Sequence, residues 1–386
     1  MLIVADENIP FAQEAFGTLG EVRLLSGRRM DAAAVRDADA LMVRSVTRVD
    51  QALLQGSRVR FVGTATIGTD HVDAIWLAQA GIGFSAAPGS NANSVGEYMV
   101  AALLVLAQRQ GRPLAGRSIG IVGVGNVGRR VAEKCLALGM TVRLNDPPLQ
   151  RRTNDPKYRP LEELLDCDFI TLHVPLEREG QDPTWHLADE RFLAKMRPES
   201  VLCNASRGAV ADGAALLRAL ERGALAGAVL DVWEGEPAFD PALLERVSLA
   251  TPHIAGYSYD GKVNGTEMIY RAACAHFGSK PTWDRAACVP KPLLPELSLR
   301  MRGGVEDALR DAVRRLYAIE SDDAALRRLG DLPDAARAAG FDRLRKEYPV
   351  RREFQNTRVI VDAPDAPAQR VLELTAALRG IGFRVR

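Results

Sequence analysis

The sequence predicts an α/β protein with parallel sheets, and three features indicate this class. Short apolar segments alternate with helical segments along most of the chain. Many apolar segments end in polar residues or glycine, as buried parallel strands do where their carboxyl ends open onto a site. A glycine-rich turn also follows one of these strands and begins a helix. The alternation favours doubly wound sheets over an all-helical or all-strand fold.

Length and composition narrow the class of protein. A chain of 386 residues is long enough for two or three domains, each with its own core. Charged residues make up 26% and the net charge is +1, so no strong field favours nucleic acid or a membrane surface as a partner. Five scattered cysteines lack metal-ligand spacing, and the N-terminus lacks the basic region of a signal peptide. These features predict a cytoplasmic protein without a metal site.

The first ninety residues are predicted to contain five strands with helices between them. The strand segments are LIVAD, EVRLL, ALMVRS, RFVGTAT and IGFSAAP. A long helix is expected from Ser94 to Arg109, with Asn93 or Ser94 as its N-cap and Glu97 in its first turn. Its longest apolar run, residues 99–107, is too short to cross a bilayer.

A second α/β unit follows, and the alternation of strands and helices ends near residue 285. Its strand segments are SIGIV, TVRLND, DFITLHVPL, SVLCNASRG, GAVLDVWEGEP and SLATPHIAG. Beyond it, CVPKPLLPELSLR is interpreted as a proline-rich linker and residues 305–329 as a charged helical segment. Residues 357–386 are predicted to form a strand, a helix and a strand, and this last part carries no catalytic motif.

The glycine-rich turn has the spacing of a dinucleotide-binding site. Gly123, Gly125 and Gly128 follow the strand SIGIV and begin a helix, whose free N–H groups suit a pyrophosphate. The next strand ends at Asp146, 146 − 128 = 18 residues on. A carboxylate there accepts hydrogen bonds from ribose hydroxyls and repels a 2′-phosphate. The pattern predicts NAD, and favours it over NADP.

Later strand ends are expected to complete the cofactor pocket. Pro175 stops the strand that ends in HVPL, so backbone and apolar groups there can line the adenosine side. NASRG places small residues beside Arg207. Asp231 ends a further strand, where its carboxylate either accepts from the nicotinamide amide or caps the following turn.

Three polar residues follow three consecutive strands: Arg207, Glu236 and His253. The carboxyl ends of neighbouring parallel strands converge on one crevice. Oxidation of a 2-hydroxy acid requires a cation for the carboxylate, a base for the hydroxyl proton and an acid that orients the base. Arginine, histidine and glutamate suit these roles in that order. The pattern therefore predicts that His253 is the acid–base group.

Structural roles are the alternative for each of these residues. His253 could be a packed histidine, Arg207 an ion-pair partner and Glu236 a surface acid, but their placement after a dinucleotide motif favours catalysis. The remaining histidines are not accompanied by an arginine and a glutamate at neighbouring strand ends. His71 and His173 are predicted to be structural residues or to support the site indirectly, and His186 and His276 to be surface or packing residues.

Taken together, the glycine motif, HVPL, NASRG, LDVWEGEP and HIAGY resemble the D-isomer-specific 2-hydroxyacid dehydrogenases. The resemblance extends over nearly the whole chain. It implies two doubly wound parallel-sheet domains, a flavodoxin-like substrate domain and a Rossmann NAD domain, followed by a C-terminal α+β dimerisation domain. The implied boundaries are 1–93 with 257–285 for the substrate domain, 94–256 for the NAD domain and 286–386 for the dimerisation domain.

The resemblance also implies an activity and a set of site residues. The implied activity is NAD-dependent oxidation of a phosphorylated 2-hydroxy acid by a homodimer, with His253 as proton donor in the reverse direction. The implied substrate-binding residues are Ser45, Thr66 and Tyr257. The implied NAD contacts are Asn126, Val127, Asp146, Val174, Ser206, Arg207, Gly208, Asp231 and Gly256. Position 174 carries Val where related enzymes can carry Thr. This difference preserves a backbone contact with NAD but removes a hydroxyl contact.

The ligands of the substrate phosphate stay open, as do two other functions. Arg44 is one candidate ligand, and the basic run 341–348 of a partner subunit is another, unless that run is only a solvated face. A 3-phosphoglycerate-type dehydrogenase with a regulatory C-terminal domain is an alternative enzyme. A non-enzymatic NAD-sensing protein, such as a transcriptional corepressor, is the other, and the intact Arg207, Glu236 and His253 set argues against it.

Overall fold

The computed structural model describes all 386 residues, which form two compact units. Unit 1 contains Met1–Asn91 and Ser258–Lys291, and unit 2 contains Ala92–Tyr257 and Pro292–Arg386. The three domain boundaries expected from the sequence stay predictions. None of the helices combines the length and apolar character needed to cross a membrane.

Unit 1 is built on a five-stranded parallel sheet with the strand order β2-β1-β3-β4-β5. This is the flavodoxin-like order expected from the resemblance. Its strands are β1 Leu2–Asp6, β2 Glu21–Leu25, β3 Ala40–Val43, β4 Phe61–Thr64 and β5 Gly83–Ser85. Numbered in chain order, its helices are α1 Ala12–Phe16, α2 Ala32–Val35, α3 Gln51–Leu54, α4 Ala74–Gln79, α11 Tyr259–His276 and α12 Arg285–Cys288.

Strand alternation explains how this sheet buries both faces. Ile3 lies in a cluster with Tyr270 of α11, whereas Val4, its neighbour in β1, lies in a second cluster with Leu53 of α3. Successive side chains of a strand point to opposite faces, so an all-apolar strand needs a helix layer on each side. Full burial of such a side chain contributes roughly 1.5–3 kcal/mol.

Unit 2 contains a six-stranded parallel sheet with the order β11-β10-β9-β8-β6-β7. Tyr158 adds a single parallel bridge to Leu144 at the β7 edge, which gives the outline of a Rossmann sheet. The strand order reverses between β6 and β8. The strands are β6 Ser118–Val122, β7 Thr141–Asn145, β8 Phe169–Leu172, β9 Val201–Asn204, β10 Gly227–Leu230 and β11 Leu249–Ala250. The helices are α5 Ala92–Gln110, α6 Asn126–Ala137, α7 Pro147–Thr153, α8 Glu190–Lys195, α9 Gly213–Glu221 and α10 Pro241–Arg246.

The last hundred residues form a three-stranded parallel sheet, in the order β12-β13-β14, with four helices. Leu309, Phe354 and Leu378 from this segment share one hydrophobic core with Leu103 of α5 and Val131 of α6. The segment is therefore packed on the Rossmann sheet's helices. Its elements are β12 Glu296–Arg300, α13 Val305–Leu316, α14 Ile319–Arg327, α15 Asp334–Lys346, β13 Arg358–Asp362, α16 Ala368–Ile381 and β14 Arg384–Val385.

The sequence analysis was wrong about the start of α5. The helix begins at Ala92, so Asn93 and Ser94 lie inside it and neither is the N-cap. Their side chains instead donate to the carboxylate of Glu353. Glu97 is fully buried and accepts a hydrogen bond from the Phe354 backbone N–H at 2.7 Å. Contacts with the C-terminal segment, which lies more than 250 positions away along the chain, replace the local cap.

The C-terminal segment confirms two further expectations and corrects one. The charged segment 305–329 forms two helices, since the extended backbone of Tyr317 (φ −144°) ends the first one. The ring of Tyr317 is buried there under the guanidinium of Arg351, at 4.3 Å. The proline-rich stretch contains strand β12 and is not only a linker. The strand, helix and strand predicted for residues 357–386 are confirmed.

Candidate active site

The three proposed catalytic residues follow three neighbouring strands of the six-stranded sheet. Arg207 comes shortly after β9, Glu236 after β10 and His253 after β11, and these strands are adjacent and parallel. Because the carboxyl ends of parallel strands meet at one edge, the loops that carry the three residues begin on the same side of the sheet.

The structure brings His253 and Glu236 into direct contact. The Nδ1 atom of His253 lies 2.5 Å from Oε1 of Glu236, and both side chains are partly exposed. The Trp233 backbone N–H donates to the other carboxylate oxygen at 3.1 Å, so the carboxyl group is fixed at both ends. Burial raises the pKa of Glu236, but the hydrogen bond and charge of His253 outweigh it, and the pKa lies below its ordinary value. An ionised glutamate is thus placed to orient the imidazole.

Asp231 holds the turn that carries His253. Its buried carboxylate accepts from the backbone N–H groups of Ile254 and Ala255, at 2.8 and 3.0 Å, and from the Thr251 hydroxyl. Its backbone oxygen accepts from the His253 N–H at 2.6 Å. His253 itself has a left-handed backbone (φ 57°), which costs energy outside glycine. Asp231 therefore fixes a strained turn, and its contact with nicotinamide stays a prediction.

Arg207 is positioned by a close approach of two loops. Gly208 lies so near the loop after β10 that an added Cβ would meet the Trp233 carbonyl carbon at 2.1 Å. Only glycine permits that approach. The Arg207 backbone oxygen accepts from the Asn204 side chain at 2.9 Å, which ties the arginine to the end of β9.

The glycine-rich turn fits a pyrophosphate group. An added Cβ at Gly128 would lie 2.0 Å from the Gly123 oxygen, so α6 packs directly on the turn. Helix α6 begins after Gly125 and has no side-chain cap, whereas α7, α8, α9 and α10 are each capped by an aspartate. Its first N–H groups therefore have no side-chain acceptor, which suits the binding of an anion.

Comparison with known proteins supports the same interpretation. Residues 97–255 match the family model "D-isomer specific 2-hydroxyacid dehydrogenase, NAD binding domain", and residues 288–374 match a domain of unknown function. The chain is 50% identical over 364 residues to the erythronate-4-phosphate dehydrogenase of Edwardsiella ictaluri, covering 94% of this chain and 95% of the relative. It is 46% identical over 389 residues to the enzyme of the same name from Marinobacter nauticus, covering 100% of both.

The chain belongs to the D-isomer-specific 2-hydroxyacid dehydrogenase family. Solved structures agree with this. D-lactate dehydrogenase of Aquifex aeolicus, complexed with NAD and lactic acid, matches with a TM-score of 0.59 and 27% identity, covering 72% of this chain and 96% of the other. The NAD-dependent formate dehydrogenase of Staphylococcus aureus matches with a TM-score of 0.59 and 26% identity, covering 74% and 98%. This member of the dehydrogenase family is an oxidoreductase that uses NAD.

Asp146 of this dehydrogenase links the glycine-rich turn to α7. One carboxylate oxygen accepts from the Val124 N–H at 2.8 Å, and the other caps α7 through the Leu149 N–H at 2.9 Å. A carboxylate has about four lone-pair sites, so both oxygens keep capacity for ribose hydroxyls. The ribose contact stays a prediction.

The other predicted NAD contacts lie around the same strand ends. Val174 lies just beyond β8. It is partly buried and packs against the hydrophobic cluster that contains Val122 and Leu172. Ser206 is buried and donates to the Asn204 side chain at 2.8 Å. Asn126 and Val127 begin α6, and Gly256 follows the His253 turn. Their NAD contacts stay predictions.

Ser45 and Thr66 lie in unit 1, just beyond the ends of the adjacent strands β3 and β4. Ser45 is exposed, and the Thr66 hydroxyl lies 2.7 Å from that of Thr64. Arg44 is a neighbour of Lys262 in α11. Burial, and then the charge of Arg44, lower the pKa of Lys262 to about 8. Unit 1 thus gathers two cations near its predicted substrate residues.

Tyr257, the third predicted substrate residue, lies in unit 2 against the C-terminal segment. Its ring meets that of Tyr348 edge to face at 5.9 Å, and the guanidinium carbon of Arg345 lies 5.8 Å from its centroid. Arg345 of this same chain was not singled out in the sequence, where the run 341–348 was either a candidate phosphate site of a partner subunit or a solvated face. The only sequence signal was that run itself, and no local spacing connects it to Tyr257.

Proposed function

We propose that this dehydrogenase oxidises 4-phospho-D-erythronate at C2 to (R)-3-hydroxy-2-oxo-4-phosphobutanoate, with reduction of NAD. The reaction belongs to the synthesis of pyridoxine 5'-phosphate (vitamin B6). Full-length likeness to enzymes named erythronate-4-phosphate dehydrogenase supports the substrate. The single observation that carries the chemistry is the 2.5 Å contact between His253 and Glu236.

His253 acts as the base in this proposal. Its Nδ1 faces Glu236, so Nε2 is available to take the proton of the C2 hydroxyl. Glu236 stabilises the imidazolium that forms, and Arg207 holds the substrate carboxylate with its two-pronged guanidinium. NAD, when bound, accepts the hydride that leaves C2. In the reverse direction His253 returns the proton to the oxygen.

The remaining predicted residues bind the reactants. Ser45, Thr66 and Tyr257 contact the substrate, and Arg44 is a candidate ligand of its phosphate. The NAD contacts are those expected from the family pattern: Gly123, Gly125, Asn126, Val127, Gly128, Asp146, Val174, Ser206, Arg207, Gly208, Asp231 and Gly256. Asp146 favours NAD over NADP, because its carboxylate accepts hydrogen bonds from the ribose hydroxyls and repels a 2′-phosphate.

We further infer that the enzyme is a cytoplasmic homodimer that associates through residues 286–386. Light scattering of the full-length chain after size exclusion tests the association. A mass near twice 41.9 kDa supports it. A mass near that of one chain across the micromolar range contradicts it.

Initial rates of NADH formation test the substrate. At matched concentrations, kcat/KM for 4-phospho-D-erythronate should exceed that for D-3-phosphoglycerate by at least about tenfold, since a pocket shaped to one acid discriminates by 1–3 kcal/mol or more. A preference for 3-phosphoglycerate would favour the alternative dehydrogenase. NAD binding without turnover of any 2-hydroxy acid would favour an NAD-sensing protein.

A further inference from the structure

Arg345 lies in the last turn of α15, a helix of the C-terminal segment, but it faces residues of the predicted active site. Its guanidinium carbon is 5.8 Å from the ring centroid of Tyr257, a predicted substrate residue, and 5.9 Å from that of Phe341. Two aromatic rings therefore flank one cation, which favours a fixed orientation.

The guanidinium has no counterion of its own. The Nε atom of Arg345 is buried and has no hydrogen-bond partner. Arg327, in the same segment, shows what a structural arginine does here. It forms an ion pair with Asp323 and donates to the backbone oxygens of Leu244 and Val247, at 2.8 Å each. Arg337 and Arg351 also have a buried Nε without a partner, but each forms an ion pair through another guanidinium nitrogen, whereas Arg345 forms none. A buried donor without a partner costs free energy, and a bound anion would supply the missing acceptors of Arg345.

Arg345 also lies within electrostatic reach of the catalytic pair. Burial raises the pKa of Glu236, and the hydrogen bond and charge of His253 lower it. The positive charge of Arg345 lowers this pKa as well. Together with the Tyr257 contact, this contribution places the cation in the neighbourhood of Glu236, the partner of His253. The substrate has two anionic ends, and the proposed role of Arg207 accounts for the carboxylate.

We propose that Arg345 binds the phosphate group of the substrate within the active site of its own chain. The C-terminal segment then contributes to substrate specificity, in addition to any role in association. The inference rests on the proposed function for the identity of the substrate. A guanidinium suits a phosphate monoester because its fork offers two parallel donors to two oxygens.

Kinetics of an Arg345→Gln variant on two substrates test the proposal. With 4-phospho-D-erythronate, kcat/KM should fall about 10- to 100-fold, as expected for loss of a charged hydrogen bond. With D-erythronate, which lacks the phosphate, kcat/KM should stay within about threefold of the wild type. Arg345→Lys keeps the positive charge but lacks the guanidinium fork. Its kcat/KM for 4-phospho-D-erythronate should therefore lie between the values of the wild type and of Arg345→Gln.

Arg328→Gln is the matched control, because Arg328 is an exposed cation of the same segment. It should leave both substrates unaffected. If kcat/KM of Arg345→Gln falls by the same factor on both acids, the substitution has caused a structural defect. If kcat/KM is unchanged on both acids, Arg345 does not contact the phosphate. Either result overturns the proposal.

Inorganic phosphate provides a readout that does not depend on the proposed reaction. Its Kd for the NAD-bound enzyme, measured by calorimetry, should rise at least about tenfold in Arg345→Gln and stay unchanged in Arg328→Gln. If the wild type fails to oxidise 4-phospho-D-erythronate but shows this shift, the proposed function is wrong and the Arg345 site stands. If the wild type oxidises it and phosphate binding is unchanged in the variant, the Arg345 site is wrong.

Discussion

Unit 2 contains two histidine–glutamate pairs whose glutamates are two positions apart in one loop. His253 lies 2.5 Å from Glu236, and His186 lies 2.7 Å from Glu234. Both histidines have left-handed backbones, with φ values of 57° and 50°. Both rings are also partly exposed. By residue type, distance and backbone strain, the two pairs are nearly equivalent.

They differ in what surrounds the second ring nitrogen. His186 uses Nε2 for Glu234, and its Nδ1 lies 3.8 Å from Asp212, so carboxylates face both nitrogens. Its ring is also stacked on Trp185, with centroids 3.8 Å apart. His253 uses only Nδ1, and Nε2 has no hydrogen-bond partner. An acid–base group requires one oriented nitrogen and one that can reach the substrate, and only His253 meets both conditions.

The largest expected effect separates the two histidines. His253→Ala should lower kcat by about 10²- to 10⁴-fold, the usual contribution of a general acid–base group. The Kd for NADH should stay within about threefold, since the base acts on the substrate. Steady-state rates and fluorescence titration with NADH measure the two quantities.

His186→Ala is the control for this substitution, because it removes a similarly paired and partly exposed histidine. Its kcat should stay within about threefold of the wild type. A near-normal rate in His253→Ala, or an equal loss in both variants, would show that the unoccupied nitrogen does not distinguish the pairs.

A smaller effect is expected at the glutamates. Glu236→Gln keeps the shape of the side chain but removes the charge that stabilises the imidazolium, so kcat should fall about 10- to 100-fold. Glu234→Gln breaks the equivalent contact of His186 and should leave kcat within about threefold. Single-turnover rates with bound NAD isolate the chemical step. Equal rates for the two variants would argue against an orienting role of Glu236.

Strand positions and the glycine motif could be predicted from the sequence because both depend on local patterns. Apolar alternation located each strand of the two large sheets, and the spacing of Gly123, Gly125 and Gly128 identified the turn. Strand ends also placed Glu236 and His253 on neighbouring loops, and the structure brings them into contact. The catalytic roles of these residues stay predictions.

Long-range contacts could not be predicted, because no local pattern encodes them. Asn93 looked like a helix cap, yet its amide donates to Glu353, 260 positions later. His186 was expected to be a surface or packing residue, and it is partly exposed and stacked on Trp185, but no local pattern predicts its contact with Glu234. Arg345 was not singled out, because its distance from Tyr257 depends on how α15 packs. In each case tertiary packing decides a contact that no short motif encodes.

The last expected effect is on stability and not on rate, and it concerns the C-terminal segment that supports the His253 turn. Arg351 donates to the Ala255 oxygen at 3.3 Å and pairs with Glu97 at 3.2 Å. Burial, followed by the charge of Glu353, raises the pKa of Glu97 to about 8 from an ordinary 4.5.

This pKa shift fixes the sign of a pH effect. A carboxyl whose folded pKa exceeds its unfolded pKa contributes stability below the unfolded value, and that contribution is lost as pH rises towards the folded value. Relative to Glu97→Gln, which cannot ionise, the wild type should lose up to about 3 kcal/mol of unfolding free energy between pH 5.5 and 8. Urea unfolding at several pH values measures the difference. Glu133→Gln, at an exposed position of α6, should follow the wild-type slope, and parallel slopes for wild type and Glu97→Gln would mean that Glu97 stays ionised beside Arg351.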